Sequence, residues 1–147
     1  MSQPGPKKLK KLQLKGNKSQ PIRILYVEDA EVMRDTIFRL LEVYGYKVAY
    51  AKNGEEGIER AIEWQPDLVL MDLHMPVMNG FKAIQEIRFN PKTHHIPIIV
   101  VSAWSGKKER DQARLAGADD YFDKPPDLDR LREAIDRAVA ASSKKLK

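Results

Sequence analysis

The chain has 147 residues and no cysteine, which leaves room for one domain of ordinary size and excludes disulfide staples, thiolate metal sites and cysteine nucleophiles. Any output module is therefore expected on another chain, and a reducing cytoplasm is the expected compartment. The net charge of +5 comes from 26 basic and 21 acidic residues, and no aliphatic stretch approaches the roughly 20 residues of a spanning helix.

Residues 1–21 carry six of the lysines and no acid, and residues 142–147 carry three more and no acid. Removing those nine leaves 17 basic and 21 acidic groups, a net of −4, so the part between the tails is mildly acidic. The first tail has too few apolar groups to offset the entropy of ordering and is expected to be disordered. It has no apolar core of a secretory signal.

Ile22 to Val27 reads as a buried strand. Met33, Ile37, Leu40, Leu41 and Tyr44 then form one apolar helical stripe, stopped at Gly45. Tyr46 to Ala51 is a second strand, and Asn53-Gly54 opens a helix through Ile58, Ala61 and Ile62 that closes at Pro66. Leu68 to Met71 is a short third strand, and the Pro76-to-Gly80 loop leads into a helix through Ile84 and Ile87, ended by Asn90-Pro91. Ile96 to Val101 is the fourth strand, followed at about Lys107 to Ala116 by the most polar helix, with a thin stripe. Asp120 to Phe122 is the fifth, and Leu128, Leu131, Ile135, Ala138 and Val139 mark the last helix. Alternation of this kind predicts an α/β fold: a doubly wound, five-stranded parallel sheet with right-handed crossovers and helices on both faces.

Ligands in such sheets bind at the carboxyl ends of the strands. Those ends carry Glu28-Asp29, Asp72, Ser102 and Lys124. Carboxylates about 4 Å apart repel by around 4 kcal/mol per pair at an effective dielectric of 20, so a positive group has to join them. Mg²⁺ fits, because it takes oxygen ligands and shares its shell with water and phosphate, and Lys124 adds a second positive charge. A carboxylate can accept a phosphoryl group, a transfer that needs mainly positioning and neutralised oxygens. Asp72, after the central strand, is the best nucleophile, with Glu28 and Asp29 left for the metal. A structural ion held by all three acids is the competing assignment.

Glu28-Asp29, the run Met71-Asp72-Leu73-His74-Met75-Pro76-Val77-Met78-Asn79-Gly80, Val101-Ser102-Ala103 and Tyr121-Phe122-Asp123-Lys124-Pro125 together resemble the receiver domain of two-component response regulators. The resemblance covers about residues 22–141. It implies a flavodoxin-like sheet of strand order 2-1-3-4-5, with a stand-alone switch as the expected unit. It implies that Asp72 accepts a phosphoryl group from a sensor histidine kinase or a histidine phosphotransfer protein. Glu28, Asp29, Asp72 and the backbone carbonyl of His74 would then hold Mg²⁺, and Lys124 would contact a phosphate oxygen beside a cis bond to Pro125. Ser102 and Tyr121 resemble the switch pair, which would change the surface of the fourth helix, fifth strand and fifth helix for a downstream protein target or a homodimer. His74 and Trp104 occupy positions that tune phosphate lifetime in the family. Such a domain is a phosphoacceptor that assists its own phosphorylation, not an ordinary enzyme.

Plainer roles stand beside these. Asp29 alone would serve as the N-cap of the first helix, Ser102 as a loop hydroxyl, Tyr121 as a strand aromatic and Lys124 as a solvated loop lysine. Met75, Met78 and Phe81 are expected to pack the loop, and His94-His95 to lie in a surface turn. Glu28 stands where the family more often has Asp, Ser102 where it more often has Thr, and Pro126 after Pro125 stiffens the entry to the last helix. An aspartate-nucleophile phosphatase would place its nucleophile after the first strand, and a flavin module would need a phosphate cradle where Glu28-Asp29 repels phosphate. The Lys7-to-Lys15 run admits nucleic-acid, membrane or acidic-partner contact, but no aromatic side chain interleaves its lysines to stack bases, and a solvated arm is the simpler expectation.

Overall fold

Five short apolar runs become five parallel strands: β1 Arg23–Val27, β2 Lys47–Ala51, β3 Leu68–Met71, β4 Ile98–Ser102 and β5 Asp120–Asp123. The sheet order is β2-β1-β3-β4-β5, the order that the family resemblance implies. Between the strands lie α1 Glu31–Val43, α2 Gly54–Trp64, α3 Gly80–Phe89 and α4 Lys107–Ala116, and α5 Leu128–Leu146 follows β5. The computed structural model describes residues 20–75, 77–104 and 106–146, with side chains as far as Ser143. The lysine run of the amino-terminal tail lies outside the described residues.

Because strand side chains alternate, each central strand feeds two cores. Leu25, Val27, Val69, Met71, Ile98 and Val100 face α2, α3 and α4. Ile24, Tyr26, Leu68, Leu70, Ile99 and Val101 face α1 and α5. The helices on those faces differ in anchoring: α3 buries Gly80, Ala83, Ile84 and Ile87, whereas α4 buries Ala113 alone.

Local chemistry explains most boundaries. Asn53 caps α2 by accepting from the Glu56 N–H, and Asn79 caps α3 by accepting from the Lys82 N–H, at 2.8 and 3.0 Å. Gly45 turns the chain after α1 at φ 98°, a region glycine enters without a Cβ penalty. β4 begins at Ile98, two residues later than the apolar run suggests, because Pro97 has no N–H to give the ladder. At the other end it reaches Ser102, paired with Asp123, so Ser102 is a strand residue. The first helix is capped at Ala30 without a side-chain bond, so Asp29 does not serve as the N-cap. The last helix continues past the boundary expected at residue 141, to Leu146.

Candidate functional site

The carboxyl ends of β1, β3, β4 and β5 lie on one edge of the sheet, and the polar residues that follow them converge there. Glu28 and Asp72 are buried, Asp29 is exposed, and ligand atoms of all three lie within 4.8 Å of one another. Lys124 bridges the buried pair, with Nζ 2.6 Å from Glu28 Oε1 and 3.4 Å from Asp72 Oδ1. The Lys124–Pro125 bond is cis.

Charge is unbalanced in this nook. Burial, and then the Glu28 carboxylate, push the Asp72 pKa up to about 7, and Lys124 and the His74 N–H only partly oppose this. The donors are all oxygens, two of them buried, which fits a hard divalent cation such as Mg²⁺ better than a softer metal. A cation would also relieve the repulsion between the Glu28 and Asp72 carboxylates.

Close backbone approach fixes the Asp72 peptide. Gly80, which opens α3, lies so near that a Cβ there would sit 2.3 Å from the Asp72 carbonyl oxygen and 2.7 Å from Leu73 Cα. Its N–H donates to Leu73 O at 3.0 Å, folding the intervening loop back on itself. Within that loop Val77 adopts φ 71°, a strained conformation for a β-branched residue.

Ser102 is buried, and its Oγ accepts from the Trp104 N–H at 3.1 Å. Tyr121 donates its hydroxyl to the Trp104 carbonyl, while the Arg110 guanidinium lies 4.8 Å over its ring. Arg110 also pairs with Asp123 at 3.0 Å, which joins α4 to β5. His74 and Trp104 meet edge to face at 4.6 Å, and Phe81 stacks on Trp104 at 6.3 Å. The residues expected at the site therefore lie at or just past the strand ends; His74, Trp104 and Phe81 form one aromatic group, Tyr121 joins it through the Trp104 carbonyl, and the His74 N–H reaches Asp72 Oδ1 at 3.4 Å. His94 and His95 lie elsewhere, after α3, and Met75 packs into the core.

Two residues at the site escape the sequence reading. Tyr26 is fully buried on β1 and donates its hydroxyl to Glu28 Oε1 at 3.1 Å. Burial, then the Glu28 carboxylate, push its phenol pKa up. Arg34 is buried on α1 and donates through one guanidinium nitrogen to the carbonyls of Glu28 and Asp29, at 3.0 and 3.3 Å. Its ring neighbour is Tyr50, 4.8 Å away, and its Nε has no partner among the described residues. An aromatic in an apolar strand and an arginine in an amphipathic helix are unremarkable by pattern. The only signal was their spacing of two and six residues from Glu28.

The profile of the response regulator receiver domain matches residues 24–136. Protein PilH of Pseudomonas aeruginosa is 35% identical over 118 residues, covering 80% of this chain and 98% of that protein. The polar-differentiation response regulator DivK of Brucella anthropi is 32% identical over 115 residues, covering 78% of this chain and 94% of that one. A solved receiver domain of a sensor histidine kinase from P. aeruginosa, with a magnesium ion coordinated in its active-site cleft, is similar at TM-score 0.77 and 30% identity, over 82% of this chain and 99% of that one. The matched segment takes in every strand end that builds the acidic nook, and the chain belongs to the receiver domain family of response regulators.

Proposed function

We propose that Asp72 is the phosphoacceptor of this receiver domain and that the chain acts as a stand-alone, phosphorylation-controlled switch in the cytoplasm. The observation that carries the reading is the convergence of Lys124 on Glu28 and Asp72, at 2.6 and 3.4 Å, over the end of the central strand. Receiver domains take phosphoryl groups from histidine kinases or phosphotransfer proteins and signal to downstream targets. Here an Asp72 oxygen attacks the phosphorus of a phosphohistidine, the P–N bond breaks, and the imidazole leaves as the aspartyl phosphate forms. Glu28, Asp29, Asp72 and the His74 carbonyl would hold Mg²⁺, which supplies neutralisation of the phosphoryl oxygens when bound. Lys124 moves its ammonium from Asp72 to a phosphoryl oxygen, and the Ser102 hydroxyl donates to another.

Loss of the Ser102 Oγ contact to the Trp104 N–H then frees the loop before α4, and Tyr121 follows the vacated space. α4 buries Ala113 alone, so little packing resists a shift of α4 against β5 and α5. That surface is the place for a downstream protein or a second copy of the chain. The aspartate-nucleophile phosphatase and the basic-tailed adaptor are less favoured, since the family match accounts for the whole acidic nook.

The test is labelling by a small phosphodonor or a phosphorylated kinase with Mg²⁺ present. The wild type takes one phosphoryl group and Asp72→Asn takes none. Equal labelling of both, or of neither, overturns the reading.

A further inference from the structure

We propose that Tyr26 is a positioning residue for Glu28, holding its carboxylate in the metal-binding orientation while Lys124 moves to the phosphoryl group. The inference rests on the phosphoacceptor reading above and adds a residue to that site.

Residues two apart on a strand point to the same face, so Tyr26 on β1 and Glu28 just beyond its end share one side of the sheet. Both side chains are fully buried, and a buried carboxylate needs its oxygens satisfied. Glu28 Oε2 accepts from the Ala30 N–H at 3.2 Å. Oε1 accepts from two donors, the Lys124 ammonium at 2.6 Å and the Tyr26 hydroxyl at 3.1 Å. Arg34 holds the Glu28 and Asp29 carbonyls, so the backbone under the acidic pair is fixed as well.

The two donors on Oε1 differ in mobility. Lys124 is on a flexible four-carbon stem and also touches Asp72, whereas Tyr26 is fully buried in the core cluster that includes Ile37, Leu41, Leu70 and Val101. When the ammonium leaves for a phosphoryl oxygen, the phenol is the donor that remains on Oε1. Glu also has one more rotatable bond than Asp, and the phenol removes that freedom before a cation arrives. Phenylalanine at 26 would fill the same volume and leave Oε1 dependent on Lys124 alone.

Thermal melting of the full chain over a series of Mg²⁺ concentrations reads the apparent metal affinity without any phosphodonor, because a ligand of the native state raises the melting temperature. Tyr26→Phe is expected to raise the apparent Mg²⁺ dissociation constant about five- to tenfold. In a Glu28→Ala background the same change is expected to move it less than twofold. A role in packing alone lowers the Mg²⁺-free melting temperature and leaves the constant in place. A constant within twofold of the wild type in Tyr26→Phe, or an equal loss with and without Glu28, overturns the proposal. Labelling of wild-type Asp72 in parallel separates the two readings, since its absence overturns the phosphoacceptor assignment instead. Should Tyr26→Phe not fold, Glu28→Asp supplies the measurement: its shorter carboxylate withdraws from the phenol, and a constant unchanged from wild type also overturns the proposal.

Discussion

Asp72 is buried beside a second buried acid, and burial and the Glu28 carboxylate together push its pKa up. Asp72→Asn keeps the shape and removes one carboxylate, so it should raise the Mg²⁺-free melting temperature, by an amount on the order of 1–2 kcal/mol in stability. The same variant should gain nothing from added Mg²⁺, and melting with and without the ion checks both statements. His74, whose N–H reaches Asp72 Oδ1, packs its ring edge to face on Trp104, next to the proposed acceptor. Removing either ring opens a path for water, so Trp104→Ala and His74→Ala are each expected to shorten the aspartyl phosphate lifetime several-fold; unchanged decay of the labelled protein in both variants would remove the idea. Tyr46 is far from this chemistry. Its hydroxyl donates to Asp136 at 2.8 Å, and burial pushes its phenol pKa up. A phenol whose pKa is raised on folding contributes stability that is present below the unfolded value near 10 and is lost above it. Tyr46→Phe should therefore be less sensitive to alkali above pH 10 than the wild type, as read by denaturant midpoints against pH.

At the scale of elements, α3 is placed by one close contact and one hub. Its first residue, Gly80, has no room for a side chain against the Asp72 carbonyl. Gly80→Ala must displace either α3 or the Asp72 peptide, and a loss of at least about 2 kcal/mol with weakened Mg²⁺ binding is expected. Near its end, Arg88 donates to the carbonyls of Gly117, His94 and Ile96 and pairs with Asp119 at 2.8 Å. The alternation of strands and helices was legible because period and punctuation are local properties, and parallel strands necessarily bring Glu28, Asp29, Asp72, Ser102 and Lys124 to one edge. Tyr26, Arg34 and Arg88 were not legible. Their patterns match an ordinary core aromatic and ordinary solvated arginines, and only the tertiary fold shows which carboxylate or carbonyl each one meets. The plainer alternative for Asp29, a helix N-cap, is not met although Asp is a favoured cap by type: the cap of α1 is Ala30, without a side-chain bond.

Across the whole molecule, stability is distributed unevenly about the sheet. The face carrying α2 and α3 is sealed by Ala61, Ala83, Ile84 and Ile87 against the buried strands, whereas α4 adds the buried Ala113 and the half-buried Ala116, with exposed pairs such as Lys107–Asp111 and Arg114–Asp111 within the helix itself. Exposed pairs of that kind contribute about 0–1 kcal/mol each, so they do not replace packing. β5 is the edge strand beyond β4, and none of its residues is fully buried. Local opening should begin there: amides of α4 and β5 should exchange hydrogen faster than those of β1, β3 and α3 in the unphosphorylated protein. The proposed switch needs that gradient, because a phosphoryl group on Asp72 would shift only an equilibrium that already has a nearby alternative. Phosphorylation should therefore alter exchange in α4 and β5 and leave β1 and α3 nearly unchanged. Uniform protection across α3 and α4, or a phosphorylation effect spread evenly over all five helices, would contradict this distribution of stability.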